Sequence, residues 1–71
     1  MFTRPESITM QLGGIGDADA RRRAEQVLRQ TKGVRSATVD EHAVAAVTYR
    51  ADQTTVDAIA GNLAAAGYSI I

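Results

Sequence analysis

Ile8, Met10 and Leu12 alternate with Ser7, Thr9 and Gln11, a period of two that predicts a half-buried strand over 6–12. Past the glycine-rich stretch Gly13-Gly14-Ile15-Gly16 the period changes. Ala20, Ala24, Val27, Leu28 and Thr31 then fall on one face of a helix. Asp17 or Asp19 is placed to cap its N-terminus, and Gly33 to end it as a left-handed C′ residue. Alternation returns from Val34 to Asp40, with Ala37 and Val39 on one face and Thr38 on the other. Asp40-Glu41-His42 reads as a polar turn, and Ala43 to Tyr49 as a third strand with Ala45, Val47 and Tyr49 inward. Thr54 or Thr55 caps a second helix whose apolar stripe is Val56, Ile59, Ala60, Leu63 and Ala66. Gly67 closes that helix, and Tyr68 to Ile71 forms a short last strand.

The resulting order, βαββαβ, predicts an α+β, ferredoxin-like sandwich: a four-stranded antiparallel sheet with two helices on one face. The handedness of crossovers makes 4-1-3-2 the expected strand order. The whole chain, 1–71, is read as a single domain in which residues 1–5 are a disordered leader. Following the chain up and down the sheet brings three loops to one end: Gly13–Asp19, Asp40–His42 and the Gly67–Tyr68 corner. The short last strand after Tyr68 also suggests a segment of a longer chain.

Composition narrows the function. Eight basic side chains balance eight acidic ones, which argues against a strongly electrostatic partner such as bulk nucleic acid. With no cysteine the chain has neither disulfides nor thiolate ligands, and packing alone must hold it together. No apolar run approaches the ~18 residues that cross a membrane, and no apolar stretch near Met1 resembles a secretory signal. A cytoplasmic domain without membrane insertion is the expectation. One histidine and no cysteine leave nucleophilic or acid–base catalysis without support, so an enzyme is not expected.

The loop end collects the candidate chemistry. Asp17, Asp19 and His42, with Glu41 beside it, are oxygen and nitrogen donors suited to a divalent ion such as zinc. The competing reading makes the aspartates helix caps and the other two plain turn residues, and it carries more weight, because a tight zinc site needs three or four converging ligands. Gly14-x-Gly16 before a helix hints at a phosphate cradle, but Asp19 stands where a dinucleotide fingerprint has its third glycine, and two aspartates repel an anion. An RNA-recognition sheet would need aromatics on its open face, whereas Thr9, Gln11, Thr38, Val44, Ala46 and Thr48 are expected there. Arg21-Arg22-Arg23, with Arg29 and Lys32 beyond, is either a solvated helix face or a basic patch for an acidic protein partner, and an Asp17–Arg21 pair would reduce it.

Several of these residues also carry a family likeness. Gly33-Val34 after the first helix, Val47-Thr48-Tyr49 ending the third strand and Ala66-Gly67-Tyr68 after the second helix resemble the heavy-metal-associated domain of metallochaperones, mercury-binding proteins and the N-terminal regions of metal-transporting P-type ATPases. The likeness runs from Ile8 to Tyr68. On it, Gly14-Ile15-Gly16-Asp17-Ala18-Asp19-Ala20 takes the place of the family's Gly-Met-x-Cys-x-x-Cys loop. Asp17 and Ala20 then replace the two cysteines, and Ile15 the buried methionine, an exchange that conserves volume. The resemblance implies a metal-handling or metal-transport scaffold degenerate at its thiolates, with weak oxygen or nitrogen ligation of a metal ion or a docking and regulatory role toward a partner or adjacent domain. The implied contact residues are Gly14, Ile15, Gly16, Ala20, Arg21 and Arg22, with Tyr68 as a neighbour of the loop. A regulatory module of the ACT type, which shares the topology and binds small molecules near the first loop, is the alternative.

Overall fold

The computed structural model describes residues 4–71; residues 1–3 of the expected leader lie outside the described residues, and Arg4 and Pro5 are exposed ahead of the first strand. The elements are β1 (Glu6–Gly13), α1 (Ala18–Gln30), β2 (Val34–Val39), β3 (Val44–Tyr49), α2 (Val56–Ala65) and β4 (Ser69–Ile70). They build one antiparallel sheet in the order β2-β3-β1-β4, which is the expected 4-1-3-2.

Alternation places Met10 and Leu12 of β1, Ala37 and Val39 of β2, and Ala45, Val47 and Tyr49 of β3 on the buried face. Ala24 and Leu28 of α1 and Ile59 and Leu63 of α2 close over them, all four fully buried. Burying a leucine or isoleucine of this kind contributes about 1.5–3 kcal/mol. The alanines at 24, 37 and 45 are what let helix backbone come close to the sheet. Thr31, on the same helix face, is buried but satisfied: its hydroxyl donates to the Val27 carbonyl at 2.8 Å and accepts from Asn62 Nδ2 at 3.1 Å.

Both helix starts follow from side-chain caps. Asp17 and Thr55 sit in extended backbone, and their oxygens accept the N–H groups of Ala20 and Ala58 at 2.8 and 3.1 Å. The end of α2 is also as expected. Gly67 (φ +95°) donates to Ala64 and Tyr68 to the Leu63 carbonyl, both at 3.0 Å, which is a Schellman closure.

Four local expectations are corrected. Gly33 is left-handed (φ +91°) but is not the C′ residue of α1: the helix stops at Gln30 with Thr31 as its cap. Gly33 instead sits in a turn closed by the Val34 N–H on the Thr31 carbonyl, at 3.1 Å. Ala43 belongs to the turn rather than to β3. Its N–H closes back on the Asp40 carbonyl, which forces φ to +62°. Val56 and Ala66 are exposed instead of lining the α2 stripe, because they lie at the two ends of the helix. The last strand is two residues, Ser69–Ile70, shorter than the expected 68–71.

Candidate functional site

The three loops do meet at one end. Ile15 packs its side chain against the hydrophobic core, half-buried, and so holds the glycine loop down as the expected anchor. Gly14 is left-handed (φ +86°), and a Cβ there would lie 3.4 Å from the Gly67 carbonyl oxygen, so the loop passes close against the α2–β4 corner. From that corner the Tyr68 hydroxyl donates to the Ala20 carbonyl at 3.2 Å, tying β4's approach to the first turn of α1.

The β2–β3 turn stands on the other side. Asp40 Oδ1 accepts the N–H groups of His42 at 2.8 Å and Val44 at 3.0 Å, and the Asp40 N–H donates to the Val44 carbonyl. These bonds, chiefly the one from Val44 and with help from the Arg21 guanidinium, hold the Asp40 carboxyl below the usual carboxylate range against the cost of its desolvation. Gln11 of β1 supports the turn from the open sheet face, its amide donating to the His42 carbonyl at 2.9 Å. Between loop and turn lies a cleft of about 200 Å³ lined by Ile15, Gly16, Asp17, Ala18, Arg21, Asp40 and Glu41.

The expected ion donors are at this end but are otherwise engaged. Asp17 caps α1 through Ala20. Asp19 faces Arg22 at 3.9 Å across exposed surface, and the Asp17–Arg21 pair that would have reduced the basic patch does not form, since the Asp17 carboxylate accepts the Ala20 N–H. His42 Nε2 lies 3.6 Å from Glu41 Oε1, both largely exposed. Among the described residues no three His, Cys, Asp or Glu side chains gather where one ion could reach them all. The donor set therefore does not fit a thiophilic ion: the chain has no thiolate, and its one capping carboxylate is a hard ligand already bound to backbone. Sequence reasoning places Asp40 in the turn without its role as the acceptor that holds the turn, and does not include Gln11 at the loop end. Asp40 has a local signal, since an aspartate bonding the N–H two residues on is an Asx turn; Gln11 has none.

A loop anchored by half-buried Ile15 between a central strand and a helix packed over a four-stranded antiparallel sheet, in this strand order, is the heavy-metal-associated fold, here without a Cys-x-x-Cys pair. Solved structures bear this out. CopZ metallochaperone is 21% identical over 93% of this chain and all of its own, at a TM-score of 0.86. Oxidized MerP from Ralstonia metallidurans CH34 is 22% identical over 94% of each chain, at a TM-score of 0.89. The water-soluble region of the P-type ATPase CopA from Bacillus subtilis is 28% identical over this entire chain and 48% of its own, at 0.90. At such identities the likeness to CopZ and MerP is one of fold. No protein-family model and no curated protein matches the chain. Among the described residues no helix is long and apolar enough to cross a membrane.

Proposed function

We propose that this chain is a non-catalytic module of a metal-handling system, built on the heavy-metal-associated scaffold and acting at its loop end by contact with a protein partner or adjacent domain rather than by carrying a thiophilic ion. The observation that carries this reading is the Asp17 carboxylate, which stands where the family has its first cysteine and is committed to the Ala20 N–H at 2.8 Å. The contact surface would consist of Gly14, Ile15, Gly16 and Ala20 with Arg21 and Arg22, backed by Tyr68. A cytoplasmic location goes with this reading. The neighbours supporting it are metallochaperone and P-type ATPase domains, which favours it over an ACT-type sensor. Asp17, Asp19 and His42 remain as donors for zinc, but an ion using all three has to break the helix cap, so such binding is weak.

An amide-resolved NMR titration separates these roles. With copper(I) or zinc at stoichiometric concentration, the signals of residues 14–20 and 42 are expected to stay in place. With an acidic heavy-metal-associated domain as probe, residues 14–22 and Tyr68 are expected to shift, and Arg21→Glu with Arg22→Glu to abolish the shifts. Tight copper(I) binding by the parent chain would refute the reading, as would a loop end that no such domain perturbs. The variant Asp17→Cys with Ala20→Cys is expected to acquire copper(I) binding without refolding, which tests the scaffold separately from the role.

A further inference from the structure

Strand β2 is an edge strand, so one side of its backbone has no neighbouring strand. An edge of this kind is a template for strand addition unless something closes it. The register sets Ala37 against Val47 and Val39 against Ala45, while the Asp40 N–H turns inward to the Val44 carbonyl. Backbone groups change sides at each residue of an antiparallel strand, so Ala37 and Val39 direct theirs outward.

Two of those outward groups are occupied by side chains of α1. Glu25 Oε2 accepts the Val39 N–H at 3.1 Å, and Arg29 Nε donates to the Ala37 carbonyl at 3.1 Å. The pair is also joined to itself, Arg29 Nη2 to Glu25 Oε1 at 3.1 Å, one helical turn apart. A donor and an acceptor fixed side by side thus stand where the next strand's backbone would be. Charged partners make each bond stronger than a neutral one. At the opposite edge β4 is only two residues long, and a short edge strand gives a visitor little to pair with.

The open β2 edge suits one visitor in particular. Arg35 lies near the start of β2, and Asp40 and Glu41 follow its end. Two copies running antiparallel bring each Arg35 toward the other's acidic end, so the surface is complementary to itself in charge as well as in backbone. Val34, Thr38 and Val39 are β-branched and favour the extended conformation that pairing needs.

We propose that Glu25 and Arg29 guard the β2 edge, and that this edge, once the guard is removed, takes up β2 of a second copy of this chain in antiparallel register. The guard lies on the helix–β2 side of the molecule and does not depend on what the loop end does.

The test compares the parent chain with Glu25→Ala combined with Arg29→Ala, by sedimentation equilibrium and amide hydrogen exchange. The parent is expected to remain a monomer, with the Val39 amide protected by Glu25 and the outward Ala37 amide open. The double variant is expected to lose Val39 protection in its monomeric form by about tenfold or more, the charge-assisted bond being worth at least that. With rising concentration it is expected to dimerise and to gain protection at Ala37. A folded double variant that stays monomeric at millimolar concentration would overturn the proposal, and so would a dimer whose Ala37 amide stays open. Should the double variant not fold, Glu25→Leu combined with Arg29→Leu, which removes both edge bonds and keeps good helix formers at the two positions, decides by the same two readouts.

Discussion

Asp17 Oδ1 accepts the Ala20 N–H at 2.8 Å, so the two ends of the segment that enters α1 are tied directly to each other. The bond satisfies one of the free N–H groups at the start of α1, and the negative charge opposes the helix dipole. Asp17→Ala is therefore expected to lower stability by about 1 kcal/mol, with Asp17→Asn or Asp17→Ser nearly neutral because each retains a capping oxygen. Urea unfolding of the three variants checks this. Equal losses in all three would mean that the charge and not the cap matters.

Gly33 and Gly67 share a left-handed backbone, at φ +91° and +95°, but not their surroundings. A Cβ at Gly67 meets nothing within 4 Å, whereas one at Gly33 falls 2.9 Å from Thr54 Cβ and 3.0 Å from Gln53 Cβ. Gly67→Ala is expected to cost about 1–2 kcal/mol, the strain of an L residue in that conformation. Gly33→Ala carries the same strain plus a clash with side-chain roots that cannot rotate away. Its loss is expected to be clearly the larger, and β-branched Gly33→Val larger again. Equilibrium unfolding with the order of Gly33→Ala and Gly67→Ala reversed would contradict this account.

These pairs also show what can be read from a chain and what cannot. The alternation of Ile8, Met10 and Leu12 and the helical spacing of Ala24 and Leu28 are properties of neighbouring residues, so the strand, the helix and their buried faces were legible. The conformation of Gly33 was legible too, but its role was not. Thr31 ends the helix one residue early: its backbone turns extended (ψ 126°), while its hydroxyl and N–H both reach back to α1. At the loop end the choice between Asp17 and Asp19 as cap depends on one residue's backbone, which spacing does not resolve. The Glu25–Val39 bond joins residues fourteen apart through tertiary packing, and nothing local announces it.

The β2–β3 turn offers a test of strain. Ala43, at φ +62°, occupies the position of a three-residue hairpin loop that glycine prefers. Ala43→Gly relieves the strain but gives up a methyl group packed against the core and frees the unfolded chain. The net expectation is a gain of about 0.5–1 kcal/mol, from ~1–2 kcal/mol of relief less the offsetting costs. A rise in melting temperature with unchanged Leu12 and Val44 amide shifts would show that the turn keeps its shape. Destabilisation would place the packing of Ala43 above its strain.

The same turn gives a pH dependence. The folded Asp40 carboxyl titrates below its unfolded value, chiefly because its ionised form accepts the Val44 N–H and secondly that of His42. A depressed carboxylate adds stability that is fully present above the unfolded value, near pH 3.9, and is lost as pH falls through the folded one. Asp52, held down by Arg50, works in the same direction. Unfolding midpoints are expected to be flat in Asp40's contribution above about pH 5 and to fall below pH 4. In Asp40→Asn that acid-side fall is expected to be shallower than in the parent, and an identical slope would show that Asp40 does not contribute to it.

Tyr68 is the link between the last corner and the glycine loop. Its ring is half-buried against the core, and its hydroxyl donates to the Ala20 carbonyl at 3.2 Å. Tyr68→Phe keeps the ring and removes only that bond, so the expected loss of stability is small, about 0.5–1.5 kcal/mol. The larger effect is expected in motion: without the tether, the first turn of α1 and residues 14–20 should show faster amide exchange while the rest of the sheet keeps its protection. Tyr68→Ala also removes the ring and is expected to unfold at markedly lower denaturant. If Tyr68→Phe left exchange over 14–20 unchanged, the glycine loop would owe its position to Ile15 and Gly14 alone, and Tyr68 would be core packing with no hold on the loop.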